Sequence, residues 1–452
     1  MDRREFLKKG LAGTVGVTLG VNSLFSSSCK GANERVVLAL IGAGGRGTGC
    51  IINCCKINDN VIIKTVCDVN KTKLAAAATQ VDKELGYRPA MTEHLKEVLD
   101  DKDIDGVWIA TPEHWHALAT VWACQAGKDV YVEKNPTINI WEGRKIVEAA
   151  KKYKRIVQIG FQNRSAPYGF SAREYISSGK LGKIVHVKSY NMLGGGKWMP
   201  VPDAPAPDWI DWDAWLGPAP YIPFNPNIVE ENGRGGWGSY WAYSGGTLAD
   251  DASHVMDLAR MVIGDPPHPK SVYGWGGNNA WGGQGETPEF QSITYDFGDF
   301  TMTCESGNAT NYMTKTPGDI RMDPDRFPDW RQNATRTEIY GTEGLMYLGR
   351  HGGGWQVLGP GGEIVAQGNG VHPDREHQID FIESIRTRKK PNGDPEQGQL
   401  SATLVHLGNI AYRVGNKQLI FDGKTETFAD NRQANVLARG SYRQEYSIPE
   451  KV

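Results

Sequence analysis

The stretch IGAGGRG, Ile41–Gly47, constrains this chain more than any other. It follows the apolar run RVVLAL and leads into TGCIINCCKI, so a strand, a glycine turn and a helix are expected in that order. Gly42, Gly44 and Gly47 have GxGxxG spacing. Glycine lets the backbone turn tightly and approach a pyrophosphate, whose charge the N-terminus of the following helix stabilises. A second apolar run, VIIKTVCD, ends in Asp68, about twenty residues further on, where a carboxylate can accept hydrogen bonds from both ribose hydroxyls. A 2'-phosphate would be repelled there, which favours NAD, although Lys71 and Lys73 keep NADP open.

More alternating units follow. DGVWIATP reads as a buried strand, HALATVWACQAG as a helix closed by Gly127, DVYVEK as a strand, IWEGRKIVEAAKKY as a helix and RIVQIG as a strand. This order predicts an α/β fold with a doubly wound parallel sheet over residues 34–162, ligands gathering at the carboxyl ends of the strands. Thr111, Pro112, Glu133 and Lys134 fall at such ends. The remainder, 163–452, shows a helix to about Ser178, then KIVHVKSYNML, KSVYGWG, FQSITYDFG, DFTMTCESG and RTEIYGTEG as sheet. WQVLGPGGEIVAQG reads as a hairpin and REHQIDFIESIRTR as a late amphipathic helix.

In GGTLADDASHVMDLARMVIGDPP the apolar residues define a helical stripe, so Asp250 and His254 should be neighbours on one face, with Asp257 continuing the row. Histidine can take and return a proton near neutral pH, and a carboxylate beside it would orient the ring, as oxidation of a secondary alcohol requires. An ammonium from Lys134 would stabilise the developing alkoxide. The alternative is an ordinary solvated charge pair. His114 and His116 can line the cofactor cleft or cap a loop. No companion cluster suggests a metal, and His377 reads as a packing residue. The tryptophans of DWIDWDAWLGP either stack on sugar faces or pack.

Taken jointly, IGAGGRG, ATPEHWH, YVEK, GFQNRS, SGKLGKI and DWDAWLGPAP resemble the glucose-fructose oxidoreductase and inositol dehydrogenase family, Gfo/Idh/MocA. The resemblance runs from about Val36 to the end of the chain. It implies a Rossmann domain followed by an α+β domain with a large, open, mostly antiparallel sheet, and NAD(P)-linked chemistry on sugars, glycosides or cyclitols. It also implies a homo-oligomer, catalytic roles for Lys134, Asp250 and His254, cofactor contacts from Arg46, Thr111, Pro112, His116 and Glu133, and substrate contacts from Gln162 and Arg164. One departure stands out: the family's Glu-Lys-Pro is here Glu133, Lys134, Asn135, Pro136, which moves the proline's restraint onto Asn135. Relatives that act as NAD-dependent glycosidases supply a second reading, and a sugar sensor without catalysis a third.

The 50 basic and 52 acidic side chains leave a net charge of -2, which recommends no nucleic-acid partner. The crowded Cys50, Cys54 and Cys55 read as buried reduced thiols, not as a disulfide framework. Residues 1–33 read as a leader: DRREFLKK pairs Arg3 and Arg4 with Phe6, Leu7 and Lys8 ahead of a mild apolar stretch, as in a twin-arginine export signal. SLFSSSC, ending at Cys29, also reads as a lipoprotein box that would anchor the chain on the periplasmic side of a membrane. An exported protein with a cytoplasmic cofactor must load it before export and keep it.

Overall fold

The computed structural model describes residues 35–230 and 236–452. The leader features at Arg3, Arg4 and Cys29 lie outside these residues. Among them no helix is long and apolar enough to cross a membrane. Cys50, Cys54, Cys55, Cys67, Cys124 and Cys304 are free thiols, all but Cys55 buried.

Six strands, β1 (Val36–Ile41), β2 (Val61–Cys67), β3 (Ala90–Thr92), β4 (Gly106–Ile109), β5 (Asp129–Val132) and β6 (Val157–Ile159), form one sheet in the order β3-β2-β1-β4-β5-β6. Every pairing in it is parallel. Its strands are almost continuously apolar because helices cover both faces. On one face Leu118, Val121 and Ile146 pack from the helices His116–Gln125 and Ile140–Tyr153. On the other, Trp108 and Tyr131 stack at 3.7 Å between ring centroids and meet Phe381 edge-on. Phe381 belongs to the helix Asp374–Thr387, which returns from the far end of the chain to complete this layer.

Ten further strands form the second sheet: β7 (Ile184–Met192), β8 (Ser271–Gly277), β9 (Phe290–Asp296), β10 (Thr301–Gly307), β11 (Thr335–Gly341), β12 (Leu345–Gly349), β13 (Trp355–Leu358), β14 (Ile364–Gly368), β15 (Leu419–Asp422) and β16 (Thr427–Phe428). The order is β14-β13-β12-β11-β7-β10-β9-β8-β15-β16, antiparallel except where β7 meets β10. Alternation places Ile293, Tyr295, Met302, Cys304 and Ile339 against the helices Ser253–Val262 and Pro395–Arg413. The opposite face leaves Tyr273, Trp275 and Ile420 exposed.

The helix Ile140–Tyr153 opens on a reciprocal cap. Asn139 Oδ1 accepts from Glu142 N at 3.0 Å, and Glu142 Oε2 accepts from Ile138 N at 2.9 Å. Burial pushes the Glu142 carboxyl up to about 7. A raised carboxyl favours the folded state while protonated, so its contribution is lost as pH rises through about 7. Glu142→Gln keeps the acceptor and carries no charge. Its melting temperature relative to wild type is therefore expected to climb between about pH 5 and pH 8, an effect of at most roughly 3 kcal/mol. A difference that does not move with pH would refute this account.

Candidate active site

Two adjoining cavities lie at the carboxyl ends of the parallel strands. The first, of about 950 Å³, is a groove bordered by Gly42, Gly44, Arg46, Gly47, Asp68, Thr111 and Pro112. Gly42 has φ +92, and a Cβ there would lie 2.6 Å from the Ala110 carbonyl carbon. A Cβ on Gly47 would lie 2.7 Å from Gly42 O, whereas Gly44 faces open space. The helix Gly45–Ile57 begins with no side-chain cap, so its first amides remain available to an anion. Asp68 Oδ2 accepts from Ala43 N at 2.7 Å and Oδ1 from Asn70 N at 2.8 Å, which fixes the carboxylate beside the turn. These residues fit a dinucleotide: open backbone amides for the pyrophosphate and an anchored carboxylate for the ribose.

The second cavity, of about 730 Å³, is bordered by Thr111, His116, Glu133, Lys134, Asp250 and His254 and shares Arg46 and Thr111 with the groove. Lys134 follows β5, and its peptide bond to Asn135 is cis. His116 ties this loop to the end of β4, its ring nitrogens each lying 2.7 Å from a carbonyl oxygen, of Asn135 and Thr111. Arg46 Nε donates to Glu133 Oε1 at 3.1 Å.

Lys134 Nζ donates to Asp250 Oδ1 at 3.0 Å. Burial works against the lysine's charge, but Asp250, Asp251 and Glu113 outweigh it and hold its pKa above the usual value. The expected contact between Asp250 and His254 is not formed. Leu248–Ala252 is a single π-helical turn in which Asp250 leaves helical geometry, with ψ -128, so the four-residue spacing no longer aligns the two side chains. The carboxylate faces the lysine instead. His254 keeps a buried Nδ1 without a hydrogen-bond partner. Burial, then Arg350 and Lys134, hold its pKa well below the usual value, so the ring is neutral near pH 7.

Asp257 also leaves the predicted row. It accepts from Arg164 Nε at 2.7 Å and from Ser401 Oγ at 2.6 Å, all in the interior. Arg164 is therefore spent on a buried ion pair that also reaches Asp265 at 3.1 Å, and it borders neither cavity. Gln162 is likewise buried, against the Tyr131 hydroxyl at 3.2 Å. His114 lies among aromatic rings with Nε2 2.9 Å from Trp215 O, and His377 is bonded to Ser165 and Ile159 in the core. Trp212 and Trp215 stack on each other at 4.8 Å; the tryptophans that border the second cavity are Trp198 and Trp237.

Several bordering residues had no counterpart in the sequence reading. Glu113, within ATPEHWH, accepts from Gly245 N at 3.0 Å, and burial, opposed by Lys134, pushes its carboxyl up to about 7. Asp251 forms an ion pair with Lys315, and Arg350 and His351 enter from the loop after β12. Burial works to raise the Asp251 carboxyl, yet Lys315 and Arg350 outweigh it and hold it below the usual range.

A parallel six-stranded sheet with a glycine turn and an anchored carboxylate, joined to a ten-stranded sheet that closes a charged cleft, defines a two-part dinucleotide-binding protein. Residues 36–161 match the oxidoreductase family's NAD-binding Rossmann fold, and residues 185–311 and 364–448 match the same family's C-terminal alpha/beta domain. The chain belongs to the Gfo/Idh/MocA oxidoreductase family. It is 28% identical over 276 residues to scyllo-inositol 2-dehydrogenase (NAD(+)) of Bacillus subtilis, covering 61% of this chain and 64% of that one. It is 27% identical over 172 residues to an alpha-N-acetylgalactosaminidase of Shewanella oneidensis, covering 34% and 37%. The chain thus spans less than two thirds of the length of these curated relatives. The WlbA dehydrogenase of Bordetella pertussis, solved with NADH and UDP-GlcNAcA, superposes with a TM-score of 0.61 at 18% identity over 86% of this chain and 99% of that one, a likeness of fold.

Proposed function

We propose that this protein is an NAD-dependent oxidoreductase acting on a secondary hydroxyl of a sugar, glycoside or cyclitol. The observation that carries this reading is the half-buried Lys134 ammonium, held by Asp250 beside a neutral His254 in a cleft that opens onto the dinucleotide groove. The bound nicotinamide supplies the hydride acceptor. Lys134 Nζ stabilises negative charge on the reacting oxygen and so acidifies the hydroxyl. His254 presents an unprotonated ring nitrogen to take that proton. Its depressed pKa keeps it in the accepting form but makes it a weak base, so the larger share of the work falls on Lys134. Trp198 and Trp237 offer apolar faces to a sugar ring.

The Arg3–Phe25 segment supports export by the twin-arginine route to the periplasm, with Cys29 as a second anchoring option. The exposed outer sheet face at Tyr273, Trp275 and Ile420 supports a homo-oligomer. Similarity to the alpha-N-acetylgalactosaminidase favours one further reading, a glycosidase whose oxidation is reversed within each turnover. The presence of both Lys134 and His254 argues against a sensor that has lost its chemistry. The test is absorbance in the near-ultraviolet band of reduced nicotinamide while glycosides, free hexoses and inositols are added to the purified protein. A lasting rise is expected with at least one of them; cleaved glycoside without a lasting rise selects the glycosidase. Neither signal across the panel would count against both.

A further inference from the structure

The groove is bridged from rim to rim by residues 207–218 of the second half. At the ribose rim, two residues beyond Asp68, Asn70 and Ile210 form an antiparallel bridge. Lys71 N donates to Trp209 O at 2.8 Å, Asp211 N donates to Val69 O at 3.1 Å, and the Lys71 ammonium reaches Asp208 O at 3.0 Å. At the opposite rim, after β4, Trp115 Nε1 donates to Trp215 O at 3.0 Å, and His114 Nε2 lies 2.9 Å from the same oxygen. The C-terminal segment fastens the bridge from outside: Arg443 Nη2 donates to Asp213 Oδ1 at 2.7 Å, and Tyr446 packs edge-on against Trp115. At its second fixing the bridge lines the cavity with Ala214 and Trp215, and Tyr446 joins them.

We propose that this segment is a strap that encloses the adenosine half of the bound NAD, making it a resident group that does not exchange in each turnover. The inference rests on the NAD-binding reading above. A nucleotide in this groove lies beneath backbone that is hydrogen-bonded to both strand-end loops, so its departure requires that those bonds open. Retention then follows from a closing element as well as from direct contacts. At an association rate constant of about 10⁶ M⁻¹s⁻¹, residence for hours corresponds to a dissociation constant at or below about 10⁻¹⁰ M. A closure that must open first reaches the same residence with weaker direct contacts.

Two variants act on the strap without bordering the groove. Asp211→Pro deletes the amide that bonds Val69, and the native φ of -79 accommodates proline. Arg443→Ala cuts the tie to Asp213. Full-length protein purified with its nucleotide is mixed with isotopically labelled NAD, and mass spectrometry follows the label in the protein fraction. Wild type is expected to exchange over hours, and each folded variant at least about tenfold faster. Exchange within seconds in wild type, or variants that retain nucleotide as wild type does, would overturn the strap while NAD binding stands. Protein that neither contains nor takes up NAD would instead remove the reading beneath it. Should Asp211→Pro fail to fold, Arg443→Ala and the wild-type rate decide the matter.

Discussion

Lys134→Met is expected to lower kcat about 10³-fold while the protein still binds nucleotide. Methionine keeps most of the unbranched stem and removes the charge. The ammonium donates to Asp250 and borders the charged cleft. Its loss leaves the reacting oxygen without electrostatic support and leaves His254 to remove a far less acidic proton. Since the histidine's pKa is depressed by its surroundings, it has little basicity in reserve. The measurement is kcat and KM at saturating NAD, with bound nucleotide quantified in parallel. A kcat within tenfold of wild type would place the chemistry elsewhere. His254→Asn should be costly but less so, and the reverse order would reassign the dominant role.

Arg164→Met is expected to destabilise the fold by about 3–5 kcal/mol and to leave KM for substrate unchanged in the protein that folds. Arg164 and Asp257 are 4% and 0% exposed, so removing the guanidinium strands a carboxylate that no water can reach. Breaking such a pair costs far more than the pair itself contributes, because the surviving charge keeps its desolvation penalty. Asp257→Leu added to Arg164→Met should restore much of the loss, and urea unfolding of the single and double variants reads both effects. A raised KM with unchanged stability would return Arg164 to the substrate side.

The contrast between Arg164 and Lys134 shows where the sequence was legible. β1, the glycine turn and Asp68 follow from local patterns: an apolar run, a spacing and a strand end. The expected contact between Asp250 and His254 is not formed because helical periodicity assumes regular backbone, and one π-helical turn redirects a side chain without marking the composition. Arg350, His351 and Lys315 come from irregular loops that have no periodicity to read. The helix Pro395–Arg413, which has no counterpart in the sequence reading, carries Gly398 and Gly408 within it. The structure uses them for close packing: a Cβ on Gly398 would meet Ile159 Cγ1 at 2.4 Å.

The return of the helix Asp374–Thr387 onto the parallel sheet has a genetic consequence. Arg46 bonds Asp374 at its start and Arg388 bonds Asp129 just beyond its end, so a stretch encoded late in the gene completes the architecture of the first half. A fragment truncated near residue 162 would lay bare Trp108 and Tyr131 and would not be a self-sufficient module. Recombination that exchanges the latter part of such a gene must therefore carry over the Rossmann-facing helix, or supply one whose surface matches the sheet it covers.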